Sequence, residues 1–282
     1  MTASRPAPRR HELNQGFEWI DHAGPFRVVN HEQARRYDEL GFFVLEDAVD
    51  PETLAAVTAA IDPFEADQEE ALRAMEGGRF FIARADEITF TTHLVVRSPL
   101  LRNFTTASLF ADLCADLVGP DVRLYWDQAV YKKPEKPRRF PWHQDTGYTY
   151  VEPQHYLTLW IALTDTGVRN GCPWILAGGH RAGTLLHHWV DPIGWECLSA
   201  DPDDAVAAEL PAGGAVVFSS LTPHYTGPNL TDSVRKAYIV QYAPVGIRRI
   251  EGDWMNGAPP SGSAPCDDPD RQFPVLRGGS PV

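Results

Sequence analysis

The chain has 282 residues, a formal charge of −13, and 43% hydrophobic against 22% charged residues. That balance excludes global disorder and is long enough to bury a substantial core. The acidity excludes a surface built to coat nucleic acid or an anionic membrane, since phosphate contacts need clustered Lys and Arg, and the basic runs Arg9–Arg10 and Lys132–Arg139 are short.

Residues 1–25 are rich in Pro and Arg without periodicity and read as an irregular arm. A helix is predicted over His31–Leu40, with Asn30 as N-cap, Gln33 closing a capping box and Gly41 as the stop. Phe42–Leu45 reads as a short strand. Asp50-Pro51 opens a second helix, and Glu65–Met75 reads as a third. Ser98-Pro99 opens another, with Leu100, Leu101, Phe104, Leu109, Phe110 and Leu113 on one face and Gly119 ending it. Beyond Pro120 the texture changes to short runs of Val, Ile, Tyr, Trp and Thr between Gly, Pro, Asn and Asp breaks. Candidate strands are Arg123–Tyr131, Tyr156–Leu163, Trp174–Ile175, Gly183–Leu186, Ala215–Ser219 and Lys236–Tyr242. Such spacing predicts a β-sandwich or barrel flanked by helices. From Gly252 the chain reads as a loop-rich tail anchored at Phe273–Leu276. With no internal repeat and no linker, residues 1–282 are expected to form one domain with a β core over about 120–245.

The four cysteines, at 114, 172, 197 and 266, form no CxxC pair. They read as free thiols of a reducing compartment. The first residues lack the apolar stretch of a secretory signal, and no run of about 18 apolar residues occurs. A cytoplasmic protein without a membrane span is expected, and Ser280-Pro281-Val282 is not a peroxisomal address.

The segment Phe140-Pro141-Trp142-His143-Gln144-Asp145-Thr146-Gly147-Tyr148 carries the strongest chemical signal. In extended backbone His143 and Asp145 project from one face. Imidazole plus carboxylate suits Fe(II), Mn(II) or Zn(II). An isolated pair of this kind is more often a buried hydrogen bond than a metal site. A second element, Gly213 to Asn229, runs from a Gly turn through an apolar strand to His224 and a Gly-Pro-Asn turn. A lone His there is usually structural. Together the three make two histidines and one carboxylate, a set that occupies one face of an octahedral ion and leaves the other open. Arg235 stands eleven residues after His224. A hairpin through Gly227-Pro228-Asn229 returns it beside His224, where a guanidinium grips a carboxylate such as the far end of 2-oxoglutarate. Taken alone, an Arg at a strand start is ordinarily a surface residue.

These elements in this order resemble the phytanoyl-CoA dioxygenase (PhyH-like) family of 2-oxoglutarate oxygenases. So do Gln128 within Tyr125-Trp126-Asp127-Gln128, the segment Trp160-Ile161-Ala162-Leu163-Thr164-Asp165, and Asn170-Gly171-Cys172 followed by Gly179-His180-Arg181. The resemblance spans about residues 35–245. It departs from the family pattern at Ala177-Gly178-Gly179-His180, where Pro-Gly-Ser-His is usual, and at Pro173 within a predicted strand. His180 matches a family position that is structural rather than ligating. The resemblance implies a double-stranded β-helix, a jelly-roll and cupin-like core. It implies Fe(II) held by His143, Asp145 and His224, 2-oxoglutarate as cosubstrate and O2 as oxidant, with release of succinate and CO2. It further implies Arg235 and Thr226 at the distal carboxylate, with Gln128 and Trp160 nearby. Related halogenases carry Gly or Ala in place of the carboxylate, so Asp145 favours hydroxylation of a C–H. A metal-dependent isomerase or a non-catalytic binding protein on the same scaffold are the competing readings, and neither has a supporting residue pattern. Phe80, Phe81, Tyr148 and Tyr150 are candidate pocket residues, and Arg84 and His93 lie where a lid would form. An acyl-CoA needs a basic surface for its phosphates. The expected substrate is therefore a small or mid-sized metabolite.

Overall fold

The computed structural model describes residues 8–134, 140–191, 193–199, 201–252 and 260–282. Parts of the predicted arm (1–7), basic run (135–139) and tail (253–259) lie outside the described residues. Helix α1 (His31–Leu40) has the predicted capping box: the Gln33 amide N–H donates to Asn30 Oδ1 and the Asn30 N–H donates to Gln33 Oε1, both at 2.9 Å. It stops at Gly41, whose φ of 86° is left-handed. A Cβ there would stand 2.5 Å from His180 Nδ1, so close approach as well as conformation demands glycine. Strand β1 (Phe42–Leu45) follows.

Helix α2 (Pro51–Ala74) is capped by Asp50, which accepts from Glu52 and Thr53 N–H at 3.0 Å each. The sequence reads two helices here, and the structure has one, running through Pro63. An internal proline costs roughly 3 kcal/mol. Burial of Val57 and Ile61 before it and Leu72 after it, all at most 1% exposed, offsets that cost. Strands β2 (Arg79–Phe80), β3 (Ala83–Arg84) and β4 (Ile88–Thr92) come next. Then come helices α3 (Leu94–Arg97), α4 (Pro99–Phe104) and α5 (Ser108–Leu117). The single helix expected from Ser98 to Gly119 is therefore broken. Thr105 and Thr106 hydroxyls donate to the Arg102 and Asn103 carbonyls at 2.9 Å, a competing hydrogen bond that ends the first segment.

The β region contains β5 (Val122–Lys132), β6 (Val151–Glu152), β7 (Leu157–Ala162), β8 (Pro173–Leu176), β9 (His188–Val190), β10 (Gly194–Glu196) and β11 (Ala205–Ala207). It continues with β12 (Ala215–Ser219), β13 (His224–Thr226), β14 (Arg235–Pro244) and β15 (Arg248–Glu251). Pro173 opens β8 rather than breaking it, a position that needs no ladder donor. Gly183–Leu186 is not a strand; only Leu185 forms an isolated bridge, with Arg10. The tail is more ordered than expected, with β16 (Gly262–Pro265), β17 (Pro274–Arg277) and β18 (Ser280–Pro281), and β17 pairs with β5.

The larger sheet runs β1-β12-β7-β14-β5-β4-β3-β2, and a smaller one runs β11-β8-β13. Antiparallel register puts Ile239 opposite both Trp160 and Gln128, and Ala237 opposite Val130. The face carrying these residues is lined by Phe42, Val130, Trp160, Val216, Phe218 and Ile239 and meets Ile175 of the smaller sheet in one apolar cluster. The opposite face, with Leu157, Leu159, Ile161, Val217, Tyr238 and Val240, packs on Val57, Ile61, Leu101, Phe110 and Leu113 of the helices. The architecture is a mainly β jelly roll with helices on its outer face and a lined interior between the sheets. No helix among the described residues is long and apolar enough to cross a membrane.

Candidate metal centre

His143 and His224 face each other as backbone partners. The His143 N–H donates to the His224 carbonyl at 3.0 Å and the His224 N–H to the His143 carbonyl at 2.8 Å. Gln144 is extended (φ −104°, ψ 148°), so Asp145 returns to the same side before the chain turns at Asp145–Gly147. One ligating atom from each of His143, Asp145 and His224 lies within 4.8 Å of the others. His224 Nε2 is 3.8 Å from Asp145 Oδ1.

Each imidazole is oriented by its other nitrogen. His143 Nδ1 lies 3.1 Å from the Pro141 carbonyl and His224 Nδ1 3.0 Å from that of Thr222. A carbonyl only accepts, so both Nδ1 atoms carry the proton and both Nε2 lone pairs are available for an ion. Burial pushes His224 down to about 4. His143 is pushed down too, by burial and then by the neighbouring His224. Both rings are therefore neutral at pH 7. Burial pushes the Asp145 carboxyl up. Thr158 donates to Asp145 Oδ2 at 2.6 Å, and Gln241 Nε2 approaches Thr158 Oγ1 at 3.4 Å. Two imidazoles with free Nε2, beside a buried carboxylate, fit an ion such as Fe(II).

The segment between His143 and Asp145 is held by Gln144 and His187, which carry no motif of their own. The buried Gln144 side chain donates to the Gly183 carbonyl at 3.0 Å and to the Leu221 carbonyl, and accepts from Leu185 N–H at 2.7 Å. Its backbone N–H donates to His187 Nε2 at 2.9 Å, while His187 Nδ1 donates to the Leu185 carbonyl at 2.9 Å. His187 must be neutral to accept, and burial pushes it down to about 3. His187→Ala removes the acceptor from the buried Gln144 amide between His143 and Asp145. It is expected to weaken Fe(II) binding by roughly 10–100-fold with the fold retained, measured by metal titration alongside circular dichroism; unchanged affinity would assign His187 to packing alone.

Arg235 opens β14 and is 0% exposed. Its guanidinium donates to the Val130 carbonyl at 3.2 Å and lies 5.1 Å from the centre of the Trp160 ring. Along β14, Arg235, Ala237, Ile239 and Gln241 share one face. Gln241 reaches Thr158 and so Asp145, which places guanidinium and triad on the same interior face. Lys132 pairs across from Arg235 and donates to the Gly227 and Thr226 carbonyls at 2.6 and 3.3 Å, so the first residue of the short basic run Lys132–Arg139 is a second buried cation. Thr226 is half-buried at the end of β13. Gln128 is half-buried opposite Ile239 and accepts from Trp126 Nε1 at 3.3 Å. The structure thus brings Arg235 and Trp160 together, with Gln128 on their face and Thr226 beside Lys132.

The remaining candidates separate. Tyr148 stands edge-on to His143, centroids 5.4 Å apart, and Phe81 is 6.5 Å from Tyr148. Tyr150 is buried against His11, and His93 packs on Trp126. His180 lies away from the triad, its Nε2 donating to the Asp38 carbonyl at 3.0 Å and its ring against Trp19.

The sequence profile of the phytanoyl-CoA dioxygenase (PhyH) family matches residues 37–237, most of the chain, including His143, Asp145, His224 and Arg235. The chain belongs to this family. The family's cofactors are Fe(II), 2-oxoglutarate and O2. An Arabidopsis thaliana relative named phytanoyl-CoA dioxygenase is 27% identical over 165 residues, which span 57% of this chain and 58% of the plant protein. The structure is similar to that of EvdO2 from Micromonospora carbonacea var. aurantiaca, solved with 2-oxoglutarate. That match has a TM-score of 0.61 and 26% identity, and covers 87% of this chain and 97% of EvdO2. It is also similar in fold to SnoK, a non-haem α-ketoglutarate-dependent carbocyclase from nogalamycin biosynthesis. There the TM-score is 0.66 and the identity 23%, covering 84% and 93% of the two chains.

Proposed function

We propose that this protein is an Fe(II)- and 2-oxoglutarate-dependent oxygenase in which His143, Asp145 and His224 hold the metal and Arg235 holds the distal carboxylate of 2-oxoglutarate. The observation that carries the reading is one interior face bearing both a buried His–Asp–His group with its Nε2 atoms free and a fully buried guanidinium. When bound, iron and 2-oxoglutarate supply the oxidising chemistry with O2, releasing succinate and CO2.

The chain's own residues bind and orient. Pro141 and Thr222 carbonyls aim the two imidazoles, and Thr158 holds one oxygen of Asp145, which would leave the other to bind an ion. Trp160, Ile239 and Val130 exclude water around Arg235, which strengthens its pairing with a carboxylate. Thr226 and Gln128 are the polar groups we assign beside Arg235 and along the cosubstrate. Because Asp145 occupies the position a halide would need, the favoured outcome is hydroxylation of a C–H in a small or mid-sized metabolite. A formal charge of −13 argues against a basic surface for the phosphates of an acyl-CoA.

The deciding experiment is an anaerobic titration of apo-protein with Fe(II) and 2-oxoglutarate, following the visible charge-transfer band of the chelate. The band is expected in the wild type and not in His143→Ala; iron binding without a band overturns the cosubstrate assignment. Once a substrate is found, product mass separates outcomes: hydroxylation adds one oxygen atom, whereas ring closure removes two hydrogens. Arg235→Ala is expected to raise the 2-oxoglutarate requirement far more than that for substrate. Losing a charge-assisted pair in a dry site costs roughly 2–5 kcal/mol, more than tenfold in affinity. An unchanged requirement places the carboxylate elsewhere.

A further inference from the structure

Two hairpins, one at the edge of the larger sheet and one apart from it, approach His143 through Tyr148. The first joins β2 to β3 through a two-residue turn, Phe81-Ile82, with Phe80 paired to Ala83. Phe81 has φ +53°. The first residue of such a turn is ordinarily glycine when φ is positive, and a bulky side chain there is strained. The strain presents an aromatic ring that is still 47% exposed. The second hairpin joins β9 to β10, with Trp189 paired to Trp195.

The hairpins meet through their rings. Phe81 stacks on Trp189 with centroids 4.9 Å apart and planes 29° apart. Trp195 stands edge-on to Trp189 at 5.9 Å. Ile82 lies so close to Gly194 that a Cβ there would meet Ile82 Cγ2 at 2.9 Å, with the Tyr148 hydroxyl at 3.8 Å. Arg79 and Asp191 face each other at 3.8 Å across the gap, so the nearest opposite charges offset one another. Tyr148 continues the wall inward, touching Phe81 on one side and the His143 ring on the other.

We propose that Phe81, Trp189 and Tyr148 form the substrate-recognition slot, and that it takes a planar, uncharged, aromatic or conjugated ring. This rests on the oxygenase reading above. The ring lies on the exposed face of Phe81, whose other face is backed by Trp189, and the remainder of the molecule extends past Tyr148 toward His143. Aromatic faces favour offset stacking over contact with puckered saturated rings of equal carbon count. Backbone strain of this kind collects at ligand-binding sites, which fits a recognition role for Phe81.

The test uses 2-naphthol and decahydro-2-naphthol, which share a carbon skeleton and differ in planarity. Binding to the protein loaded with Fe(II) and 2-oxoglutarate under anaerobic conditions is read by isothermal titration calorimetry. The same titration is run without metal and cosubstrate. The planar alcohol is expected to bind about tenfold tighter than the saturated one, and Phe81→Leu to weaken it about fivefold while leaving the saturated alcohol within about twofold. Trp189→Leu is expected to act as Phe81→Leu does. Leu100→Ala, on the exposed side of α4, leaves both affinities unchanged. Equal binding of the two alcohols, or naphthol binding indifferent to Phe81→Leu and Trp189→Leu, overturns the slot. Failure of the charge-transfer band with the naphthol preference intact removes the oxygenase reading and keeps the slot; the reverse removes only the slot.

Discussion

His143→Ala and His224→Ala are each expected to abolish turnover and the 2-oxoglutarate chelate band while leaving the fold in place. The ion we assign here has three protein ligands, and removing one takes away a third of its protein donors together with the orienting carbonyl contact behind it. Loss of a group behind a ligand costs 10–100-fold; loss of the ligand itself is expected to exceed that, on the order of a thousandfold in turnover. The fold survives because the two residues are tied by backbone hydrogen bonds at 3.0 and 2.8 Å, which alanine makes equally well. Steady-state turnover, metal titration and thermal melting of the apo-protein check the three parts separately. Full activity in either variant would sink the triad, and a lowered apo melting temperature would assign the imidazoles to packing.

Acid should unfold the apo-protein well above the usual carboxylate range. Burial pushes His155 and His180 down to about 4 and His187 to about 3. In the unfolded chain each titrates near 6.5. Between those values the unfolded chain binds more protons, so stability is complete above pH 6.5 and falls as pH drops toward 4. Each of these histidines withdraws about 3 kcal/mol or more over that window, against a total of roughly 5–15 kcal/mol for a folded domain. Asp127, pushed up to about 6 by burial, works the other way and offsets about 3 kcal/mol as it protonates. The balance still favours unfolding, with a midpoint expected between about pH 4 and 6. Circular dichroism against pH measures it. His155→Phe should move the midpoint to lower pH, because His155 Nδ1 is buried with no hydrogen-bond partner among the described residues and its ring already packs on Trp19. A midpoint unmoved by that change would show that the buried histidines do not govern acid stability.

What was legible in the sequence was local or periodic. Asn30 and Gln33 announce α1 because a capping box needs only four residues, and Ala215–Ser219 announces β12 because a fully buried strand is continuously apolar. His143 and Asp145 were legible as a pair because one extended residue between them fixes their common face. Tertiary effects were not legible. Pro63 reads as a boundary until the burial of Ile61 and Leu72 is known, and Thr105 reads as helix interior until its hydroxyl is seen on the Arg102 carbonyl. The strand expected at Gly183–Leu186 fails because Leu185 and Gly183 use their backbone groups on the Gln144 side chain instead. His187 and Trp189 were passed over for the same reason: their partners, Gln144 and Phe81, are remote in sequence and meet them only in the folded chain.

The backbone pairing of His143 with His224 bears on how an ion would enter and leave the site we assign. In small metal-nucleated domains the ion draws distant ligands together, so removal of the metal is denaturation. Here a pair of peptide hydrogen bonds already fixes the two imidazoles, and carbonyls already set their rotation. The cost of assembling the site is met when the sheets form. With the ligands we assign, an ion would exchange at a preassembled site, and a chelator should strip the protein to a state that reloads without refolding.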